Sequence, residues 1–150
     1  MQVAVGGLVQ KAGKYGIIEW KHMRKTAVQE ELRWIKAVIK EEVQKAGCRL
    51  VKLYLFGSRA KGTHSPQSDW DLYAVVDKDL PFAEREKLAS RICWRLAEND
   101  VFADVFVQSE KTVQQRKNDT GRLTYYVVKE GVSLCTRKRI RDGLSKPTRI

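Results

Sequence analysis

Two aspartates placed two residues apart, Asp69 and Asp71, open a stretch that is apolar on both faces, Leu72-Tyr73-Ala74-Val75-Val76. A short run of apolar, β-branched and aromatic residues reads as a strand covered on both sides, and so as a central strand of a sheet. Side chains at i and i+2 of a strand share a face, with Cα atoms about 6.6 Å apart. Two carboxylates roughly 5 Å apart repel by about 3 kcal/mol at an effective dielectric near 20. A chain that keeps this repulsion at the mouth of a buried strand has a use for a compensating cation, and carboxylate oxygens are the protein ligands that magnesium prefers.

A third carboxylate fits the same plan. Residues 101–107 alternate as a strand, with Asp104 on the side of Phe102 and Phe106 and opposite Val101, Ala103, Val105 and Val107. A lone aspartate within an apolar strand is costly unless it is paired or metal-bound. If this strand neighbours the first, Asp104 completes a site for two metal ions, one serving the attacking oxygen and one the leaving oxygen. Upstream, the strand expected at 51–56 ends at Gly57-Ser58. Glycine lets a backbone approach a ligand closely, and a serine opening a helical turn adds a hydroxyl to exposed N–H groups, a cradle for phosphate oxygens. Arg59 and Lys61 lie nearby as charge partners.

The remaining pattern places these residues in an α+β fold, a mixed β-sheet of about four strands flanked by helices. Thr26 and Gln29 form a capping-box pattern ahead of a helix over 27–46, with Val28, Leu32, Ile35, Ile39 and Val43 in one stripe and Gly47 at its C-terminal end. Ser65-Pro66 marks a turn. A helix opens near Asp79-Leu80-Pro81 and runs to about residue 99, with Leu88, Ile92 and Leu96 inward. Ser109 is suited to cap a short helix, Asp119 to open another ending at Gly131, and 132–135 to form a last strand. The glycine-bearing stretch 1–20 has no sustained period; weak order is expected there, with a short strand at 16–20.

A chain of 150 residues is one domain's worth. Its net charge is +11, but the excess is at the ends. Residues 1–25 carry five Lys/Arg against one Glu, and 136–150 six against one Asp, leaving +2 for the part between. The expected organisation is therefore a basic N-terminal extension at 1–25, a folded domain at 26–136 and a basic C-terminal tail at 137–150. Such tails can bind nucleic acid non-specifically, although solubilising tails are the favoured reading. No apolar run approaches the length of a membrane span, and the first residues lack the pattern of a secretory leader. Three scattered cysteines, Cys48, Cys93 and Cys135, read as reduced thiols of a cytoplasmic protein.

Leu55-Phe56-Gly57-Ser58-Arg59-Ala60-Lys61-Gly62 followed by Ser68-Asp69-Trp70-Asp71-Leu72 resembles the signature of the DNA polymerase beta-like nucleotidyltransferase superfamily: Gly-Ser, ten residues, then Asp-x-Asp, with Asp104 as the third aspartate. By size the chain is most similar to the minimal nucleotidyltransferases, often encoded beside a HEPN-domain toxin. The resemblance spans roughly residues 26–135. Trp70 departs from the aliphatic residue expected between the two aspartates, and it faces away from them. The resemblance implies transfer of a nucleoside monophosphate, with ATP as the donor, to an acceptor hydroxyl, with release of pyrophosphate. Gly57 and Ser58 would hold the triphosphate, Asp69 and Asp71 both Mg2+ ions, and Asp104 one ion and the acceptor's proton. It further implies a tyrosine of a HEPN toxin as acceptor, and an antitoxin role.

Blander readings stand beside these. Asp69 and Asp71 alone could be a solvated strand end, and Arg59 and Lys61 are as well explained as surface cations. His64 reads as a plain loop residue, at least one of Tyr125 and Tyr126 as a packing residue, and Trp34 and Trp94 as core or interface. Two further functions remain open: a module that sequesters its partner without catalysis, and a transferase acting on a small molecule or an RNA 3′ end. Relatives of the last kind carry an extra domain to grip the acceptor. With little here beyond the catalytic unit, a partner or a second copy in a homodimer would have to supply that grip.

Overall fold

The computed structural model describes residues 13–65 and 67–136. Its elements are helix α1 (Gly13–Lys45), strand β1 (Leu50–Phe56), a short helix α2 (Gly57–Lys61), strand β2 (Trp70–Val76), helix α3 (Phe82–Ala97), strand β3 (Ala103–Ser109), helices α4 (Glu110–Arg116) and α5 (Leu123–Glu130), and strand β4 (Val132–Thr136). The chain divides into two units, one through Ile35 and one from Lys36 onward. As far as it is described, the first is the leading part of α1. The second holds the end of α1 and the whole sheet.

The sheet is ordered β3-β2-β1-β4. Strand β1 runs antiparallel to both β2 and β4, while β2 and β3 are parallel. The fold is thus α+β with a mixed four-stranded sheet, as the pattern of the sequence predicts. Parallel pairing of β2 and β3 needs a crossover, and α3 supplies it and packs on β3. Leu72, Ala74 and Val76 of β2 are fully enclosed, as are Leu88, Ile92 and Leu96 of α3. Tyr73 and Val75 point to the other face and join Tyr54, Val113 of α4 and Val127 of α5 in a second apolar cluster. This two-sided cover is what the unbroken apolar run after Asp71 requires.

Local signals hold at several ends. Gly47 takes a left-handed φ of 84° just past α1, where a helix-terminating glycine belongs. The Ser109 hydroxyl accepts the Thr112 N–H at 3.1 Å and so caps α4. Three expectations fail. Helix α1 begins at Gly13 rather than near residue 27, and the strand expected at 16–20 is helical. Residues 17–27 contain neither proline nor glycine, so a helix nucleated downstream propagates through them at little cost, and Thr26 falls inside it. Asp119 does not open α5, which starts at Leu123. Its carboxylate instead accepts the Gly121 N–H at 3.0 Å, closing a local turn. The turn at Pro66, the first part of the N-terminal extension and the tail at 137–150 lie outside the described residues.

The last turns of α1 are tied to α3 by a buried carboxylate. Glu42 accepts from Arg95 at 2.9 Å and from Arg91 at 3.4 Å, with Lys45 3.6 Å away. Burial alone would raise the Glu42 carboxyl, but these three cations hold it below the ordinary carboxylate value.

Candidate active site

In the parallel register of β2 and β3, Asp71 stands directly opposite Asp104. In the antiparallel register of β1 and β2, Phe56, the last residue before Gly57, stands opposite Asp71. Opposed residues in a ladder share a face, so the end of β1 and both aspartates lie on one side at one edge of the sheet. Asp69 precedes β2 by one residue. The ladder already begins beside it, where the Trp70 N–H donates to the Phe102 carbonyl at 2.9 Å. Asp69 and Asp104 are exposed and Asp71 is half-buried. Burial foremost, then the charges of Asp104 and Asp69, push the Asp71 carboxyl above its ordinary range. The three side chains thus share one electrostatic field.

Gly57 has a positive φ of 74°, which disfavours any side chain there. A Cβ built on it would overlap Asp71 Oδ2 and come within 3.0 Å of Asp71 Cγ. The missing side chain at Gly57 is therefore the space that the Asp71 carboxylate occupies. Helix α2 follows at once, and no side chain caps its N-terminal end. Gly57 and Asp71, fourteen residues apart in sequence, adjoin in space.

Arg59 is engaged within the fold. Its Nε donates to the Ser68 carbonyl at 3.0 Å, and its guanidinium lies 4.2 Å from the centroid of the Trp70 ring. Trp70 is only 4% exposed and points away from the Asp69 and Asp71 side chains by strand alternation. Arg59 thereby clamps α2 to the residues just before and just after Asp69, a role that sequence spacing does not reveal. The bulk of Trp70, anomalous in the signature, was its available signal. Lys61 is exposed and lines a cavity of about 240 Å³ with Phe56, Gly57, Ala60, Tyr126 and Glu130. Tyr125 packs edge-on against Tyr126, and Tyr126 is 48% exposed. His64 is exposed in its loop, Trp94 is exposed on α3, and Cys48 and Cys93 are free thiols.

Among the described residues, no three His, Cys, Asp or Glu side chains converge on one point as they stand. Asp71 and Asp104 are opposed in the ladder, and Asp69 is two residues from Asp71. The donor set is all carboxylate oxygen, the chemistry of a hard divalent ion and not of zinc or copper. The glycine cradle at 57 keeps the Asp71 carboxylate beside the turn on which a phosphate would sit. In both respects the residues fit magnesium.

Residues 35–140 match the model of the family described as polymerase beta, nucleotidyltransferase. No curated protein matches the chain. Among solved structures, a nucleotidyltransferase candidate from Sulfolobus solfataricus is 25% identical, with a TM-score of 0.46 over 74% of this chain and 87% of that one. A toxin–antitoxin structure with AMP-PNP is 22% identical, with a TM-score of 0.46 over 68% and 73%. A Shewanella oneidensis complex of a tri-AMPylated HEPN toxin with an MNT antitoxin is 20% identical, with a TM-score of 0.45 over 73% and 72%. Among the described residues, no helix is long and apolar enough to cross a membrane.

Proposed function

The chain belongs to the polymerase beta nucleotidyltransferase family, and on that premise we propose that it moves a nucleoside monophosphate, AMP from ATP, to the hydroxyl of a protein acceptor. The observation that best supports this is the pairing of Asp71 with Asp104 in the β2–β3 register, with Asp71 seated against Gly57. On this reading Asp69, Asp71 and Asp104 are the ligands of two magnesium ions. Bound there, magnesium would offset the triphosphate's charge and stabilise charge developing on the attacking and leaving oxygens. Ser58 Oγ and the backbone N–H groups at Gly57-Ser58 hold the triphosphate tail. Asp104 takes the acceptor's proton. The acceptor oxygen forms a bond to the α-phosphorus, the bond from that phosphorus to the bridging oxygen breaks, and pyrophosphate leaves on the Gly57-Ser58 side. Lys61 lies beside that turn and suits its charge. Arg59, engaged by Ser68 and Trp70, contributes by holding α2 in place.

The proposed acceptor is a tyrosine of a HEPN-domain toxin, and the proposed role that of a cytoplasmic antitoxin. This follows from the resemblance of the signature to that of the minimal nucleotidyltransferases. The experiment is to incubate the purified protein with Mg-ATP labelled on the α-phosphate and a co-expressed HEPN toxin. The toxin should acquire label, and the Asp69→Asn, Asp71→Asn double variant should transfer none. Label that persists in the double variant refutes the catalytic assignment. Neutralisation of the toxin by the double variant as efficiently as by wild type would make the protein a sequestering antitoxin instead.

A further inference from the structure

The face that carries Asp71 and Asp104 continues along the strands to Tyr73 and Phe106, the next opposed pair in the same register. That step is about 7 Å. There the sheet edge opens into a cavity of about 450 Å³, a volume typical of ligand sites. Its floor is polar and buried: the Tyr73 hydroxyl and Thr124 Oγ1 are hydrogen-bonded at 2.6 Å. Burial foremost keeps the Tyr73 phenol protonated, and the nearby charges of Arg116 and Arg85 act on it in the opposite direction.

Three guanidiniums, those of Arg85, Arg116 and Arg122, line this cavity against one carboxylate, Glu86. Arg122 pairs with Asp119 at 3.4 Å and Arg85 donates to the Leu80 carbonyl at 3.3 Å. Arg116 takes part in none of the ion pairs among the described residues. The apolar part of the wall is Phe82, Phe106 and Leu123, which are 67%, 43% and 41% exposed. Large apolar side chains left open beside three arginines, of which Arg122 is ion-paired, are a surface shaped for a ligand with both characters.

The position of the cavity follows from the order of the strands. An in-line displacement puts the nucleophile opposite the leaving group. With pyrophosphate leaving beside Gly57-Ser58, at the end of β1, the acceptor must approach from the other side of β2, where β3 and this cavity lie. We propose that the cavity is the acceptor subsite and that it takes an acidic peptide segment. This rests on the transferase reading above and gives the acceptor its chemistry. Carboxylates flanking the acceptor residue lie on Arg116, Arg122 and Arg85, and an apolar neighbour rests on Phe82, Phe106 and Leu123. A polycationic small molecule is repelled there. An RNA strand needs an extended row of cations, whereas this cavity is compact, half apolar and carries Glu86.

The test is fluorescence anisotropy of a short fluorescein-labelled peptide of Asp, Glu and one Tyr, titrated with the full-length chain without nucleotide. The acidic peptide should bind, and a version with Lys in place of the acidic residues should not. Arg116→Ala with Arg122→Ala should weaken binding by about tenfold or more, and Arg116→Lys with Arg122→Lys should keep most of it. Undiminished binding by the alanine pair would assign it to the basic ends and overturn the proposal, as would tighter binding of oligouridylate at the same arginines. Because no nucleotide is present, the assay reads peptide binding separately from nucleotidyl transfer. A failed transferase assay therefore leaves the subsite standing, and an active transferase whose peptide binding ignores the arginines discards the subsite alone.

Discussion

At the scale of single residues, Gly57 and Asp71 form one device. Gly57 has a backbone conformation that costs other residues about 1–2 kcal/mol, and its absent side chain is filled by the Asp71 carboxylate. Gly57→Ala should therefore do two things at once: lower the melting temperature through backbone strain, and displace Asp71 from beside the phosphate turn. Nucleotidyl transfer is expected to fall by about tenfold or more, measured at a temperature where circular dichroism shows the variant folded. Wild-type transfer by the folded variant would mean that the contact between Gly57 and Asp71 does not position the site. Arg59 makes the complementary point. Sequence alone offered it equally as a charge partner for phosphate and as a surface cation, and the fold lays its guanidinium on the Trp70 ring with its Nε donating to the Ser68 carbonyl. A basic residue near a phosphate turn has several places to go, and only packing chooses among them.

At the scale of elements, the end of α1 is fastened to α3 through Glu42, whose side chain is 5% exposed. Its carboxyl lies below the ordinary value of 4.5 because Arg95, Lys45 and Arg91 outweigh the cost of burial. A carboxyl depressed in the folded state stabilises fully above its unfolded pKa and loses that contribution as pH falls through the folded value. Glu42→Gln should cost about 1–2 kcal/mol at neutral pH, after allowance for solvent around the half-exposed guanidiniums. The gap from wild type in urea unfolding should stay level down to the ordinary carboxylate range and close in more acidic buffer. A gap that persists unchanged in acid would show that packing, not charge, is what Glu42 contributes. The elements also mark where sequence signals are strong. Ser109 caps α4 as its position suggests, because an N-cap is a local interaction. Asp119 looked equally suited to start a helix, yet it closes a turn on Gly121, because the residues that follow decide which N–H it meets. Helix α1 outran its capping signal because no helix-breaking residue lies upstream before Gly16.

At the scale of the whole chain, the charge of +11 is borne mainly by residues 1–25 and 136–150, not by the part between. If the basic C-terminal tail binds a single-stranded oligonucleotide, that binding should therefore fall steeply with salt and be lost on removal of residues 136–150. Transfer to a protein acceptor should survive that removal, and its loss would make the tail part of the acceptor interface. The α+β class, the strand that carries Asp71 and the glycine turn that ends β1 were all legible, because each depends on periodicity or spacing within a few residues. The Gly-Ser and Asp-x-Asp spacing even points to the family. What no linear pattern states is which strands lie side by side. The β3-β2-β1-β4 order sets Asp104 opposite Asp71 and turns the edge of β3 outward. It also gathers Arg85, Arg116 and Arg122 from separate segments around one cavity. Those arrangements are long-range, bought by burying both faces of β2, and so belong to the tertiary structure alone.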